Sequence, residues 1–292
     1  MGRVAMTGDY KASNTDRISG WLAVQAEVPP ESPVEWRAEA EKLLEHVRGV
    51  MSFAVGTNVS APAVEFRHGS EVEVIVTSKS ERHYSAIPNF HVLDRQGIFE
   101  AAVRSFHAPR FAVRNLWIAL EWFSMPATYN EVRLVTAMTA LENLVNSNVE
   151  DKFLLENALF GRLKKAIRNQ VKQFIRENEL DKPHPALLSE LAEKLGELQR
   201  RSLKRKLKLL LEQWSVPLSG LDDEKISEAI NARNLIVHEG RYYKEGTNQI
   251  ALWEHVTVVR ELFTRIILTA LGFQGRYVSH LGGYHHAKFP PE

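Results

Sequence analysis

From Val92 to Gly272 the apolar residues recur at spacings of three and four, and the breaks between runs are helix stops rather than strand turns. The predicted helices are Asp94–His107, Arg110–Phe123, Tyr129–Val145, Lys152–Glu177, Pro185–Leu198, Ser202–Trp214, Asp222–His238 and Ile250–Gly272. Met125-Pro126, Asp181-Lys182-Pro183, Val216-Pro217, Gly240 and Gly246 separate them. A chain that gives so much of its length to this period has few ways to fold. Its stripes can be buried only against one another, in an α-helical bundle.

The first 80 residues read differently. Glu71–Thr77 alternates apolar and charged residues as a half-buried strand does, and Ile18–Ala26 and Ala63–Arg67 are further extended segments. Between them Val34–Val50 is helical, with Trp36, Ala40, Leu43, Leu44, Val47 and Val50 on one face and Glu31-Ser32-Pro33 as its start. Ser78–Phe90 is polar and serves as a linker. The expected organisation is therefore mainly α: a small α/β N-terminal domain over 1–85, then a helical bundle over 86–292.

Composition narrows the chemistry. Charged residues at 25% and hydrophobic residues at 44% are ordinary for a globular chain, which argues against wholesale disorder. With no cysteine there is no disulfide, thiolate nucleophile, Cys-ligated zinc or iron–sulfur cluster, and the expected setting is a reducing cytoplasm. No run of about 18 apolar residues points to a membrane span, and the first residues lack a signal-peptide core. No Gly-rich phosphate loop, His-Glu-x-x-His or Gly-x-Ser-x-Gly occurs, so neither cofactor nor metal is expected. His280, His285 and His286 could hold a metal by proximity, but no neighbouring carboxylate completes a set, and a flexible tail with neutral histidines is the simpler expectation.

The net charge of +1 conceals a gradient. Residues 1–150 hold 14 basic and 18 acidic side chains, residues 151–292 hold 23 and 18, and residues 151–208 alone hold 15 and 8. Two clusters carry the excess: Arg162, Lys164, Lys165, Arg168, Lys172 and Arg176, then Arg200, Arg201, Lys204, Arg205, Lys206 and Lys208. Such clusters suit a polyanion, whose counterions are released on contact, or are the solvated faces of two helices.

One segment combines residue types that do chemistry: Arg233-Asn234-Leu-Ile-Val-His238-Glu239-Gly240. On a helix, Ile226, Ala229, Ile230 and Val237 make an apolar stripe, and Arg233 falls within it. A guanidinium there needs an anionic or hydrogen-bonding partner, which a cleft or a subunit interface would supply. His238 comes at the helix end, just before the C-cap Gly240, where the free carbonyls favour a cation. Arginine plus histidine suffices to cleave RNA without a metal. The 2′-hydroxyl is a built-in nucleophile, histidine moves protons near neutrality, and arginine matches phosphate oxygens. One histidine serves poorly as both base and acid, and a two-fold homodimer would bring a second. The alternative is an arginine that pairs inside the bundle and an incidental histidine.

The Arg233-Asn234-Leu-Ile-Val-His238 segment resembles the signature of HEPN domains: arginine, a polar residue, an apolar run and histidine at the end of a late bundle helix, with one more long helix after it. Leu134-Val-Thr-Ala-Met-Thr-Ala-Leu-Glu142-Asn-Leu-Val is similar to the Ala-Leu-Glu-x-Leu helix of the ApeA-like branch, and the basic Lys152–Glu177 segment would follow it. The resemblance covers about residues 90–275, and residues 1–80 loosely. It implies a HEPN-type bundle that acts as a dimeric, metal-independent endoribonuclease in bacterial phage defence or as a toxin. Arg233 and His238 would be catalytic, with Asn234 supporting, and Glu142 would face them or be a surface residue. RNA, tRNA among the candidates, would lie along Arg162, Lys165, Arg168, Lys172, Arg201, Lys204, Arg205 and Lys208. A phage-derived trigger or regulatory partner fits the same picture. So does a non-catalytic HEPN module that dimerises and binds RNA or a protein. Some HEPN toxins place a tyrosine two residues after the histidine, where a partner nucleotidyltransferase modifies it. Here that position is Gly240, with Tyr242 and Tyr243 beyond, which argues against such a partner.

Overall fold

A computed structural model describes residues 2–8, 20–27, 30–76, 87–151, 153–180, 186–242 and 249–291. The linker expected at 78–90, apart from its last residues, and the turns at 181–183 and Gly246 lie outside the described residues.

The chain is mainly α, with short two-stranded ribbons. Strands β1 (Arg3–Gly8) and β2 (Gly20–Gln25) pair antiparallel, Arg3 opposite Gln25 and Gly8 opposite Gly20. Helix α1 (Pro33–Val55) starts where Ser32 accepts the Glu35 N–H and Pro33 takes the first turn, which needs no donor there. It runs past the predicted Val50 and ends at Gly56, whose φ of 76° is the left-handed cap that glycine adopts without strain. Strands β3 (Ala63–His68) and β4 (Glu71–Val76) form a hairpin, and Val72, Val74, Ile75 and Val76 are all exposed on it.

The helices follow: α2 (Arg95–His107), α3 (Leu116–Phe123), α4 (Asn130–Asn148), α5 (Asn157–Glu177), α6 (Leu187–Glu197), α7 (Leu203–Trp214), α8 (Asp223–Glu239) and α9 (Gln249–Ala270). Three departures from expectation have local causes. Residues 110–115 are not helical: Asn115 sits left-handed at φ 57° and α3 begins only after it. Helix α5 begins at Asn157, because Phe153 bridges Arg200 and Leu154 donates to the Gln199 carbonyl at 2.8 Å, an extended pairing that competes with the helix. The C-terminus is not a flexible tail but a hairpin, β5 (Gly275–Ser279) with β6 (His285–Phe289), whose Tyr277, Val278, Ser279 and Phe289 are buried.

The chain groups into two compact units. The first comprises residues 1–144 and 214–292. Within it α1 packs on α2 and α3, so contacts run across the sequence boundary drawn near residue 85. Every residue of α9 from Val256 to Ala270 is buried, the behaviour of a helix enclosed on all sides. Helix α8 packs on it, and Leu43, Val47 and Phe53 of α1, Ile98 of α2 and Leu120 of α3 are buried in the same unit. Phe53, Phe123 and Phe263 meet there, Phe123 and Phe263 stacked with centroids 4.3 Å apart. Each such ring contributes about 1.5–3 kcal/mol by leaving water.

The second unit comprises residues 145–213. Helices α5 and α6 pack together in it, with Phe160 and Ile175 of α5 buried. Leu159, Leu163 and Phe174 of α5 stay exposed.

Candidate functional site

Helix α8 carries the Arg–His segment, and its two ends are well defined. Asp222 accepts the Lys225 N–H at 2.8 Å, and Asp223 and Glu224 lie in the first turn, where the helix dipole favours negative charge. At the other end Gly240 takes φ 73° and donates to the Ile236 carbonyl, the expected glycine cap.

The buried stripe of α8 is Ile226, Ala229, Ala232 and Ile236, which corrects its predicted register. Val237 is 51% exposed, so the apolar face is rotated away from it. Arg233 consequently flanks the core face rather than occupying its centre, and its side chain is 22% exposed.

The partner that such a guanidinium needs comes from α4. Arg233 Nη2 lies 3.0 Å from both carboxylate oxygens of Glu142, itself 27% exposed. Arg233 Nη1 donates to Asn234 Oδ1 at 3.2 Å, while Nε is buried with no partner. Glu142 belongs to the segment that resembles the Ala-Leu-Glu-x-Leu helix, and it faces the arginine as a half-buried residue rather than standing on the open surface. His238 lies in the last turn, exposed, with Glu239 exposed beside it. The structure thus joins Arg233, Asn234 and Glu142 in one network and places His238 at the solvent-facing end of the same helix.

The basic residues belong to the second unit. Arg162, Lys165, Arg168 and Lys172 are exposed along α5, and Lys204, Arg205 and Lys208 are exposed along α7. Arg201 differs: it precedes α7, is half-buried, and is tied to Asp151 at 2.7 Å, with its Nε buried and unpaired. Lys206 is held by Asn146. Leu159, Leu163 and Phe174 had no place in the predicted site; their signal was a second apolar stripe, at spacings of four and eleven, beside the buried Phe160 and Ile175.

The three C-terminal histidines are separated by the hairpin. His280 is largely buried, which lowers its pKa, and its Nε2 is 3.3 Å from the Pro88 carbonyl. His285 Nδ1 is 2.9 Å from the Gly283 carbonyl. A carboxylate does approach His286, Asp94 at 3.9 Å. Among the described residues no group of three or more histidines and carboxylates is arranged to hold a metal ion, and no helix is long and apolar enough to cross a membrane.

A guanidinium fixed by a carboxylate and an amide can present its remaining edge to a phosphate, and an exposed imidazole can exchange protons with a substrate. In comparisons with known proteins, no family model, curated protein or solved structure matches this chain.

Proposed function

We propose that the chain is a metal-independent endoribonuclease of HEPN type, acting as a cytoplasmic homodimer in phage defence or as a toxin. The observation that carries this is the Glu142–Arg233–Asn234 network with His238 exposed at the end of the same helix. In the reaction His238 removes the proton from the RNA 2′-hydroxyl, and the 2′-oxygen attacks the adjacent phosphorus. The bond to the 5′-oxygen breaks, that oxygen takes a proton, and a 2′,3′-cyclic phosphate remains. Arg233 stabilises the charge on the non-bridging oxygens, and Glu142 and Asn234 orient it. The second proton transfer falls to the His238 of a second copy. Arg162, Lys165, Arg168, Lys172, Lys204, Arg205 and Lys208 guide the RNA, with Arg201 braced against Asp151.

The test is cleavage of tRNA and total RNA in magnesium-free buffer. His238→Ala is expected to slow cleavage by about 10²- to 10⁴-fold. An inactive wild type, or an equally active variant, overturns the enzymatic reading.

The Arg233–Glu142 pair also favours a second reading, a HEPN-like module that dimerises and binds RNA or a partner protein without cutting. It expects salt-dependent RNA binding that weakens when α5 loses its basic residues, with no cleavage products.

A further inference from the structure

Arg260, on the enclosed helix α9, is 7% exposed and makes no ion pair among the described residues, its chain neighbour Glu261 being turned to Arg265. It donates one hydrogen bond, from Nη2 to the Ile87 carbonyl at 3.1 Å, and its plane lies over the Phe123 ring at 4.2 Å. Its Nε is buried without a partner. The charge that acts on it is another arginine, Arg133. Arg133 of α4 donates from Nε to the Ala127 carbonyl at 3.0 Å and from Nη1 to Asn130 Oδ1 at 3.5 Å, and its Nη2 makes no hydrogen bond among the described residues.

Both arginines line one small cavity with Gly56, Phe123, Pro126 and Thr136, and among the described residues no aspartate or glutamate lines it. Two like charges at one small cavity is an expensive arrangement: the Arg260 guanidinium is buried away from water, and the charge of Arg133 repels it. Burial, and after it the charge of Arg133, bring the Arg260 pKa down to about 9. Folds keep buried cations when something anionic meets them. With its face covered by Phe123, Arg260 has its edge left to offer, the geometry in which guanidinium holds oxyanions.

We propose that Arg133 and Arg260 form a binding site for a single oxyanion group, a phosphate or carboxylate carried at the end of a small ligand. The cavity is small, about 20 Å³, so only the tip of such a group enters it and the rest of the ligand lies outside, where Met125 and Pro126 are exposed. The site stands whether or not the chain cleaves RNA, since neither arginine belongs to the Arg233–His238 segment.

The experiment titrates the full chain with sodium phosphate, sodium sulfate and sodium acetate, each against sodium chloride at matched ionic strength, reading thermal unfolding and the arginine Nε–H signals by NMR. Phosphate or acetate is expected to raise the unfolding temperature saturably and to shift the Arg260 signal; which of the two does so separates a phosphate site from a carboxylate site. Arg133→Gln is expected to weaken that binding at least tenfold. Thr136→Glu, which tethers a carboxylate at the cavity wall, is expected to raise the unfolding temperature without added anion and to abolish the response. Arg260→Met is expected to be blind to all three anions. If Arg260→Met does not fold, the two other variants and the NMR signal still decide. A response that chloride matches, no saturable response, or an unchanged response in Arg133→Gln and Thr136→Glu overturns the proposal.

Discussion

Helix α9 buries two arginines five residues apart, and they are solved in opposite ways. Arg265 has its counter-charge within the fold: Nε donates to Glu261 at 2.8 Å, and Nη1 to the Pro217 and Ser219 carbonyls at 3.2 and 2.7 Å. Glu261 in turn accepts from Tyr277 at 2.6 Å and Ser279 at 2.8 Å, so the cluster locks the C-terminal hairpin to the helix. Arg260 has a carbonyl, an aromatic face and another arginine. The difference shows that burial alone does not define a structural charge. What matters is whether the fold itself supplies the counter-charge.

The contrast breaks most visibly at Glu261. Glu261→Gln strands Arg265 without its anion and is expected to cost about 3–5 kcal/mol, measured by the denaturant midpoint. A cost under about 1 kcal/mol would remove the distinction between the two arginines.

Tyr277→Phe deletes a hydrogen bond to a charged acceptor and is expected to cost about 1.5–3 kcal/mol. Burial, then the Glu261 carboxylate, push the Tyr277 pKa up from 10.0. With the folded value raised, its contribution is whole below about pH 10 and is lost as pH climbs further. Arg260 has the opposite sign. Its folded pKa is brought down to about 9, well below the ordinary guanidinium value, so its cost is full below about pH 9 and fades as pH climbs above it. Unfolding of Tyr277→Phe and Arg260→Met across pH 8–12, each compared with wild type, should therefore diverge in opposite directions.

Arg233 lies between these extremes, paired but only half-buried. Glu142→Gln is expected to cost about 1 kcal/mol, since solvent screens much of that pair. Its larger consequence would be on cleavage, where a loosened Arg233 should lower kcat with little change in KM. Arg260→Met is the smallest effect on stability, within about 1 kcal/mol of wild type or above it, because it removes a desolvation cost along with the charge.

How much of this the amino-acid order shows depends on the type of signal. The helix periods over 95–107, 130–148, 203–214 and 223–239 are legible because one stripe in each is apolar enough to survive any register error. The register itself is less legible: in α8 Val237 looked like core, yet small Ala232 and Ile236 fill the contact. The C-terminal hairpin escaped because Tyr277, Val278 and Ser279 are buried in succession, so its strand has no period of two. Strand β1 escaped for a related reason, being short with no residue fully buried. In the candidate site, Arg233, Asn234 and His238 were legible as a local motif, and the need of Arg233 for a partner followed from its place on the helix. That Glu142 meets it could not follow from periodicity, because the two are 91 residues apart. On α9, Glu261 and Arg265 stand four apart and read as a helical pair, while Arg260 has no acid three or four residues away on either side. That lone charge, in a run otherwise fit for a core, was the available sign of the second site.

The β3–β4 hairpin carries a consequence for handling the protein in solution. Glu71-Val-Glu-Val-Ile-Val76 is a segment of high β-propensity with its apolar side chains in water, the composition from which intermolecular sheets nucleate. Glu71 and Glu73 act as gatekeepers, and Arg37 holds Glu73 ionised by a two-pronged contact at 2.7 and 3.1 Å, which lowers its pKa. Acidification below the range where Glu73 keeps its charge would free that clamp, and light scattering should rise there before the helical core unfolds.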